Sequence, residues 1–366
     1  MKKWICMGIT GTICVGILAG CTRTKASVVQ TIPKAQGEYH GYIYRNLSRT
    51  KQNDYNRILT AIKKREKLVT LETKKVSELK QVYRAVMAEH GEIFWLKQFR
   101  YKVYRSNLTD QITRIVFVPQ YQYSKKECKN YQKIIKKEAA IYLSSIRKNA
   151  SDYEKVKTVY ELLLRRVVYK AKSRDNQNIL SVFCGKQTVC MGYANAFQYL
   201  MQLLKIESMT IIGTGKAQSH AWNIVRMKGD YYHVDVTWGN SVFSGRYGQR
   251  NIRNYAYLGA TTKEILKTHK IEKGLPLPKC TAVSQNYFIK EHQFYQSFQR
   301  TELIRKLQQA SMLQKDISFK FADNSLMKRA AAQLFENGRF SRYLSGVHRI
   351  TYIKDQDNSV LTVHFS

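Results

Sequence analysis

The stretch Val189-Cys190-Met191-Gly192-Tyr193-Ala194, followed by His220-Ala221-Trp222-Asn223 and then by Asp235-Val236-Thr237-Trp238, decides how this chain is read. After Gly192 the apolar residues Ala194, Phe197, Leu200, Met201 and Leu204 recur at intervals of three and four, the mark of a helix with one buried face. Cys190 therefore falls at or just before the N-terminus of that helix. Unpaired amide groups and the helix dipole at such a place favour the thiolate, the reactive form of a cysteine. Taken by itself, a cysteine beside an apolar helix reads more readily as a small core residue, the usual fate of a free cysteine.

Two alternating runs, His220 to Met227 and Tyr231 to Asp235, flank Lys228-Gly229-Asp230 and read as a β-hairpin. With Lys228 and Gly229 as a two-residue loop, Met227 lies opposite Asp230 and Trp222 opposite Asp235. His220 is then the diagonal neighbour of Asp235 on one face. A slip of one residue breaks that parity, and a slip of two keeps the face but parts the two side chains. In the expected register the carboxylate holds the imidazole, sets its tautomer and stabilises its protonated form.

Together Cys190, His220 and Asp235 supply the nucleophile, base and orienting group of covalent catalysis. An oxyanion also needs donors. The backbone amide of Cys190 is one candidate and Gln187 or the Trp222 indole the second, between which the sequence does not choose. His233 falls on the same side as Asp235 and is expected to be a packing residue between strands.

Residues 181–238, through Thr188-Val189-Cys190-Met191-Gly192-Tyr193-Ala194, Ser219-His220-Ala221-Trp222-Asn223 and His233-Val234-Asp235-Val236-Thr237-Trp238, resemble a bacterial transglutaminase-like domain, a branch of the papain-like cysteine enzymes. Three motifs in order are far more specific than one. The resemblance implies an α+β fold in which a helix bearing the cysteine packs on an antiparallel sheet bearing the histidine and the aspartate. It also implies that Cys190, His220 and Asp235 form the catalytic triad. The likeness is close over these residues and looser over the helices before them and the region to about 290. Relatives often follow the aspartate motif with an acidic residue where this chain has Gly239-Asn240, so no acidic loop is expected to contribute there. No metal or cofactor is expected from the spacing, although some animal members of that family require calcium.

Away from the motifs, the 366 residues carry 62 Lys and Arg against 26 Asp and Glu, a net charge of +36. Lys2 and Lys3 precede an apolar run from Trp4 to Leu18 that is short for a membrane span but suits a signal-peptide core. Its end, Leu18-Ala19-Gly20-Cys21, resembles the lipobox of bacterial lipoproteins, which implies cleavage before Cys21 and a lipid on that residue. A plain secretory signal or an anchoring helix is the other reading. Removing residues 1–20 takes away two lysines and no acid, so the net charge falls only to +34. The basic residues are spread along the chain, as in Lys63-Lys64-Arg65 and Lys136-Lys137, and read as solvated helix faces with a general attraction for polyanions. No specific nucleic-acid partner is expected.

Cys128, Cys184, Cys190 and Cys280 remain for the folded part, at spacings that fit no zinc pattern. A Cys184 to Cys190 disulfide would silence the nucleophile and is not expected.

The chain divides into a leader (1–20), a lipid-anchored tether (21–40), a small mixed α and β region (41–122), the core with its leading helices (123–290) and a small α+β tail unit (291–366). In the first folded region Leu68 to Leu71 reads as a strand, Val76 to Glu89 as a helix, and Ile93 to Leu96, Phe99 to Tyr104 and Ile112 to Val118 as strands, the last closed by Pro119. Ser124 opens a basic helix to about Arg147, and Ser151 with Glu154 forms a capping box for a second helix through Val168. The tail reads helix, strand, helix, then strands at Arg349 to Ile353 and Val360 to Phe365.

The expected protein is thus a cysteine peptidase, amidase or transglutaminase on the outer face of a bacterial membrane, anchored through Cys21 and acting on surface proteins or wall peptides. The competing expectation is a catalytically idle module that binds an anionic wall polymer or a protein partner. Its support is the charge of +34.

Overall fold

The computed structural model of the chain describes residues 41–245 and 248–365. The expected leader, the tether and the lipid site Cys21 lie outside these residues. Among the described residues, no helix is long and apolar enough to cross a membrane.

The first folded region opens with α1 (Tyr42–Arg45) and α2 (Arg49–Lys64), then β1 (Val69–Leu71), α3 (Val76–Glu89), β2 (Leu96–Arg105) and β3 (Ile112–Tyr121). The strands form a sheet in the order β1-β3-β2. α2 was not anticipated, although Tyr55, Ile58, Leu59 and Ile62 are spaced as a helix requires and are fully buried. Two strand expectations need correction. Ile93, Phe94 and Trp95 form no strand: the amides of Ile93 and Phe94 donate to the nearby carbonyls of His90 (3.1 Å) and Glu92 (3.0 Å), a turn, and not to a neighbouring strand. Pro119 does not close its strand, because β1 pairs only with Ile115 to Phe117 and leaves that edge of β3 open where the proline lacks an N–H.

The leading helices α4 (Lys125–Leu143) and α5 (Asp152–Arg166) each start at a capping box, Ser124 with Glu127 and Ser151 with Glu154. α5 stops before Val168, which instead opens β4 (Val168–Tyr169). Next come α6 (Ile179–Phe183), β5 (Gln187–Thr188), parallel to β4, and α7 (Cys190–Leu203). The central sheet is built from β6 (Ser208–Gly215), β7 (Gln218–Met227) and β8 (Asp230–Val234). After the ribbon of β9 (Asn240–Gly245) and β10 (Gly248–Arg253), β11 (Leu258–Ala260) and, beyond the short α8 (Thr262–Ile265), β12 (His269–Ile271) complete it. Its order is β11-β8-β7-β6-β12, all neighbours antiparallel.

This is the expected α+β arrangement, a helix bearing Cys190 laid on an antiparallel sheet. Phe197, Leu200 and Met201 of α7 and Met209, Ile224 and Val225 of the sheet are buried in one core. Each such side chain contributes about 1.5–3 kcal/mol by leaving water. Asn223 ties the layers together by donating to the carbonyls of Ala194 (3.0 Å) and Met209 (3.3 Å).

The same core runs without a break into the first folded region, from Ile43 through Phe94 to Phe288. Polar bonds cross the expected boundary at 122 as well: the amide of Gly91 donates to Gln198 Oε1 at 2.8 Å, and Gln198 Nε2 to the carbonyl of Glu89 at 2.8 Å. After α9 (Tyr287–Lys290) the tail unit has its own core around Leu307, Phe319, Met327 and Val363. It comprises β13 (Phe294–Tyr295), α10 (Arg300–Met312), β14 (Ile317–Phe321), α11 (Asn324–Phe335), β15 (Ile350–Asp355) and β16 (Val360–Phe365). That is the expected helix, strand, helix and two strands, with one added short strand.

Candidate active site

Cys190 is the first residue of α7, half-buried, and the N-cap Val189 offers no side-chain cap to the amides of the first turn. The turn is seated tightly. A Cβ on Gly192 would lie 1.8 Å from Thr188 Oγ1 and 2.9 Å from Ser181 Oγ, so only glycine lets α7 start this close to β5 and α6. Ser181 and Thr188 lock those two elements by a hydroxyl pair at 2.6 Å.

The hairpin forms in the expected register. Met227 pairs with Asp230 across a turn whose residues Lys228 and Gly229 both have positive φ, +50° and +92°, as a two-residue type I′ turn requires. Carried along the strands, that register brings His220 Nε2 to 2.7 Å from Asp235 Oδ2, with His220 7% exposed and Asp235 fully buried. The ring lies between the indoles of Trp222 (centroids 5.9 Å) and Trp238 (5.5 Å). Gly215 makes room for this packing, since a Cβ there would meet Trp238 at 2.7 Å and His220 at 3.3 Å.

Burial opposes a charge on His220, but the charge and hydrogen bond of Asp235, followed by the Cys190 thiol as a further hydrogen-bonding and charge partner, raise its pKa to about 10. With Nε2 committed to Asp235, Nδ1 is the nitrogen left to serve the thiol. Asp235 is held down near 2: burial alone would raise it, but His220 and then His269 outweigh that. The carboxylate accepts three bonds in all. Oδ2 takes His220 and also His269 Nε2 at 3.1 Å, and Oδ1 takes the amide of Trp238 at 3.1 Å.

These shifts give a pH dependence with a definite sign. The unfolded His220 ring releases its proton near 6.5 while the folded ring keeps it to about 10, so this contribution to stability is whole below 6.5 and lost as pH rises through that window. Asp235 contributes above its ordinary 3.8 and loses the contribution only as pH falls toward 2. The melting temperature of the parent is therefore expected to fall more steeply between pH 7 and 10 than that of His220→Gln. Parallel curves would refute the assignment.

The other candidates are placed as follows. Trp222 is corrected as an oxyanion donor: its indole N–H already donates to His233 Nδ1 at 3.1 Å, and the side chain is 1% exposed. Gln187 stands half-buried on β5, just ahead of Cys190. His233 is fully buried between Trp222 and Thr262 Oγ1 (3.2 Å), and burial, then the charge of His269, depresses its pKa to about 3, in keeping with a neutral packing residue. Cys128, Cys184, Cys190 and Cys280 are all free thiols. Among the described residues one group of three possible metal ligands lies close together, His220, Asp235 and His269, their ligand atoms within 4.8 Å of one another. They are bonded to each other at 2.7 and 3.1 Å, the separations of shared protons, and an ion would have to break both bonds.

His269 was missed in the sequence. It lies on β12, beyond any recognisable motif, and joins the site because β12 pairs with β6, placing His269 against Gly215.

Residues 141–236 match the family described as the transglutaminase-like superfamily. The human kyphoscoliosis peptidase is 28% identical over 109 residues, which cover 25% of this chain and 16% of that protein, so the chain spans about a sixth of its curated relative. Among solved structures, a TGase crystal structure is 12% identical with a TM-score of 0.28 and covers 38% of this chain and 50% of its own. The periplasmic domain of TgpA from Pseudomonas aeruginosa is 15% identical with a TM-score of 0.22, covering 35% and 55%.

Proposed function

We propose that this chain, whose residues 141–236 are a transglutaminase-like domain, is a cysteine acyl-transfer enzyme with Cys190 as nucleophile, His220 as proton carrier and Asp235 as orienting group. The observation that carries the reading is the buried 2.7 Å bond between His220 and Asp235, with the Cys190 thiol as the ring's other partner. In the first step the sulfur of Cys190 bonds to the carbonyl carbon of an amide or γ-carboxamide. The developing oxyanion is met by the first amides of α7. As the C–N bond breaks, the His220 imidazolium gives its proton to the leaving amine, and a thioester remains. In the second step water or a primary amine attacks the thioester, His220 takes up its proton, and the C–S bond breaks. Water makes the protein a peptidase or amidase. A lysine amine makes it a transglutaminase.

The place of action we propose is the outer face of a bacterial membrane, with the lipid on Cys21 as anchor and surface proteins or wall peptides as substrates. The net charge of +34 left after cleavage supports contact with anionic polymers there, and it is also what favours the rival reading of a binding module. One experiment separates these outcomes. A glutamine-containing peptide is incubated with the protein and a fluorescent primary amine, and amine incorporation, ammonia release and peptide cleavage are followed together. Incorporation identifies a transferase, and ammonia or cleavage without incorporation a hydrolase. No product, together with alkylation of Cys190 no faster than in the denatured chain, would overturn the acyl-transfer reading in favour of the binding module.

A further inference from the structure

Asp235 serves two histidines, and only one of them faces the nucleophile. We propose that His269 is a positioning residue of this site, holding the Asp235 carboxylate in the one orientation that keeps His220 directed at Cys190. The inference rests on the reading of Cys190 and His220 given above.

The geometry is that of a clamp. An ionised carboxylate only accepts hydrogen bonds, so the 3.1 Å contact requires the proton on His269 Nε2. Thr268 Oγ1, 2.8 Å from Nδ1, holds the other end of the ring. The side chain of His269 is fully buried, and its ring meets Trp238 at 4.4 Å, Trp222 at 5.0 Å and Tyr257 at 5.5 Å between centroids. Without His269, Asp235 would keep one donor on each oxygen, His220 and the amide of Trp238. A ring arriving at Oδ2 from the opposite edge of the sheet supplies the third direction that stops the carboxylate turning about its own bond.

Tyr257 is fixed in turn by the tail unit, since Asn358 Nδ2 donates to its hydroxyl at 3.1 Å. The clamp is thus braced from the tail unit. The titratable and charged groups around His269 are Asp235 and His220, the neutral ring of His233, Tyr257, and Lys216, which lies over Trp238 at 5.7 Å and pairs with Asp357 at 3.3 Å.

The test is the rate of Cys190 alkylation by iodoacetamide against pH, in the parent, His220→Ala, His269→Phe and His269→Gln, each checked for folding by thermal melting. A carboxylate free to turn holds the His220 ring toward Cys190 for less of the time. In His269→Phe the acid limb of the profile should therefore move up by about one pH unit, with the rate on that limb down roughly 10-fold. His269→Gln presents an N–H at similar reach and should recover most of the loss. A folded His269→Phe whose profile superimposes on the parent overturns the inference. Equal losses in both variants with the limb unmoved also overturn it, since they mean packing alone. Should His269→Phe melt below the assay temperature, Thr268→Val carries the test: it keeps the ring and removes the Nδ1 partner, and an unmoved limb is again fatal. Slow alkylation of the parent itself, no different from His220→Ala, would instead bring down the functional reading beneath.

Discussion

Cys190→Ala is expected to abolish thioester formation, with turnover down by about five to six orders of magnitude, while the protein melts where the parent does. Both steps of the proposed reaction pass through a thioester on that sulfur, and no other described thiol shares its setting. Cys128 and Cys280 are buried with raised pKa values, mainly through desolvation, and Cys184 is pushed up by the same cause. Stability should change by no more than about 0.5 kcal/mol, because Cys190 is half-buried and alanine is the better helix former. His220→Ala should fall nearly as far, and the double variant no further, since the two residues act as one unit. Parent-like turnover in Cys190→Ala would end the mechanism.

Asp235→Asn is the second large effect, and it should cost both activity and stability. All the partners that Asp235 has are donors: two imidazole N–H groups on Oδ2 and the amide of Trp238 on Oδ1. An asparagine places an NH2 against one set or the other, whichever way it is turned. A buried donor facing a donor costs about 1–3 kcal/mol. With the NH2 turned to the imidazoles, the clash is relieved only if both rings give up the proton that faces it, which leaves His220 protonated at Nδ1, the wrong tautomer to take a proton from the thiol. Activity should fall by roughly three to four orders of magnitude, as when the orienting carboxylate of a comparable triad is neutralised. The melting temperature and the rate are to be measured on one preparation. A variant that is inactive but as stable as the parent would contradict the donor count. One with near-parent activity would show that the charge of Asp235 is not needed to hold the ring.

The parts of this site legible in the sequence were those set by local rules. Apolar residues at helical spacing marked α7, and the loop at Lys228 and Gly229 fixed the parity that joins His220 to Asp235. The same periodicity marks α2, whose Tyr55, Ile58, Leu59 and Ile62 are fully buried. The strand misjudged at Ile93 to Trp95 is different: a short apolar run carries no period, and three buried side chains in a row look alike in a strand or in a packed turn.

What the sequence determined by itself, then, is the candidate nucleophile, histidine and aspartate and the turn that aligns the last two. A two-residue turn leaves the strands a single register, and one slip would turn every side chain to the other face. What only the tertiary structure decided is who else reaches Asp235 and which polar groups are already engaged. His269 arrives because β12 pairs with β6 on the far side of the sheet from β8, and the Trp222 indole is unavailable to an oxyanion because its N–H already donates to His233. Sheet order and buried hydrogen-bond partners are settled by contacts between distant residues, which depend on how layers pack and leave no period along the chain.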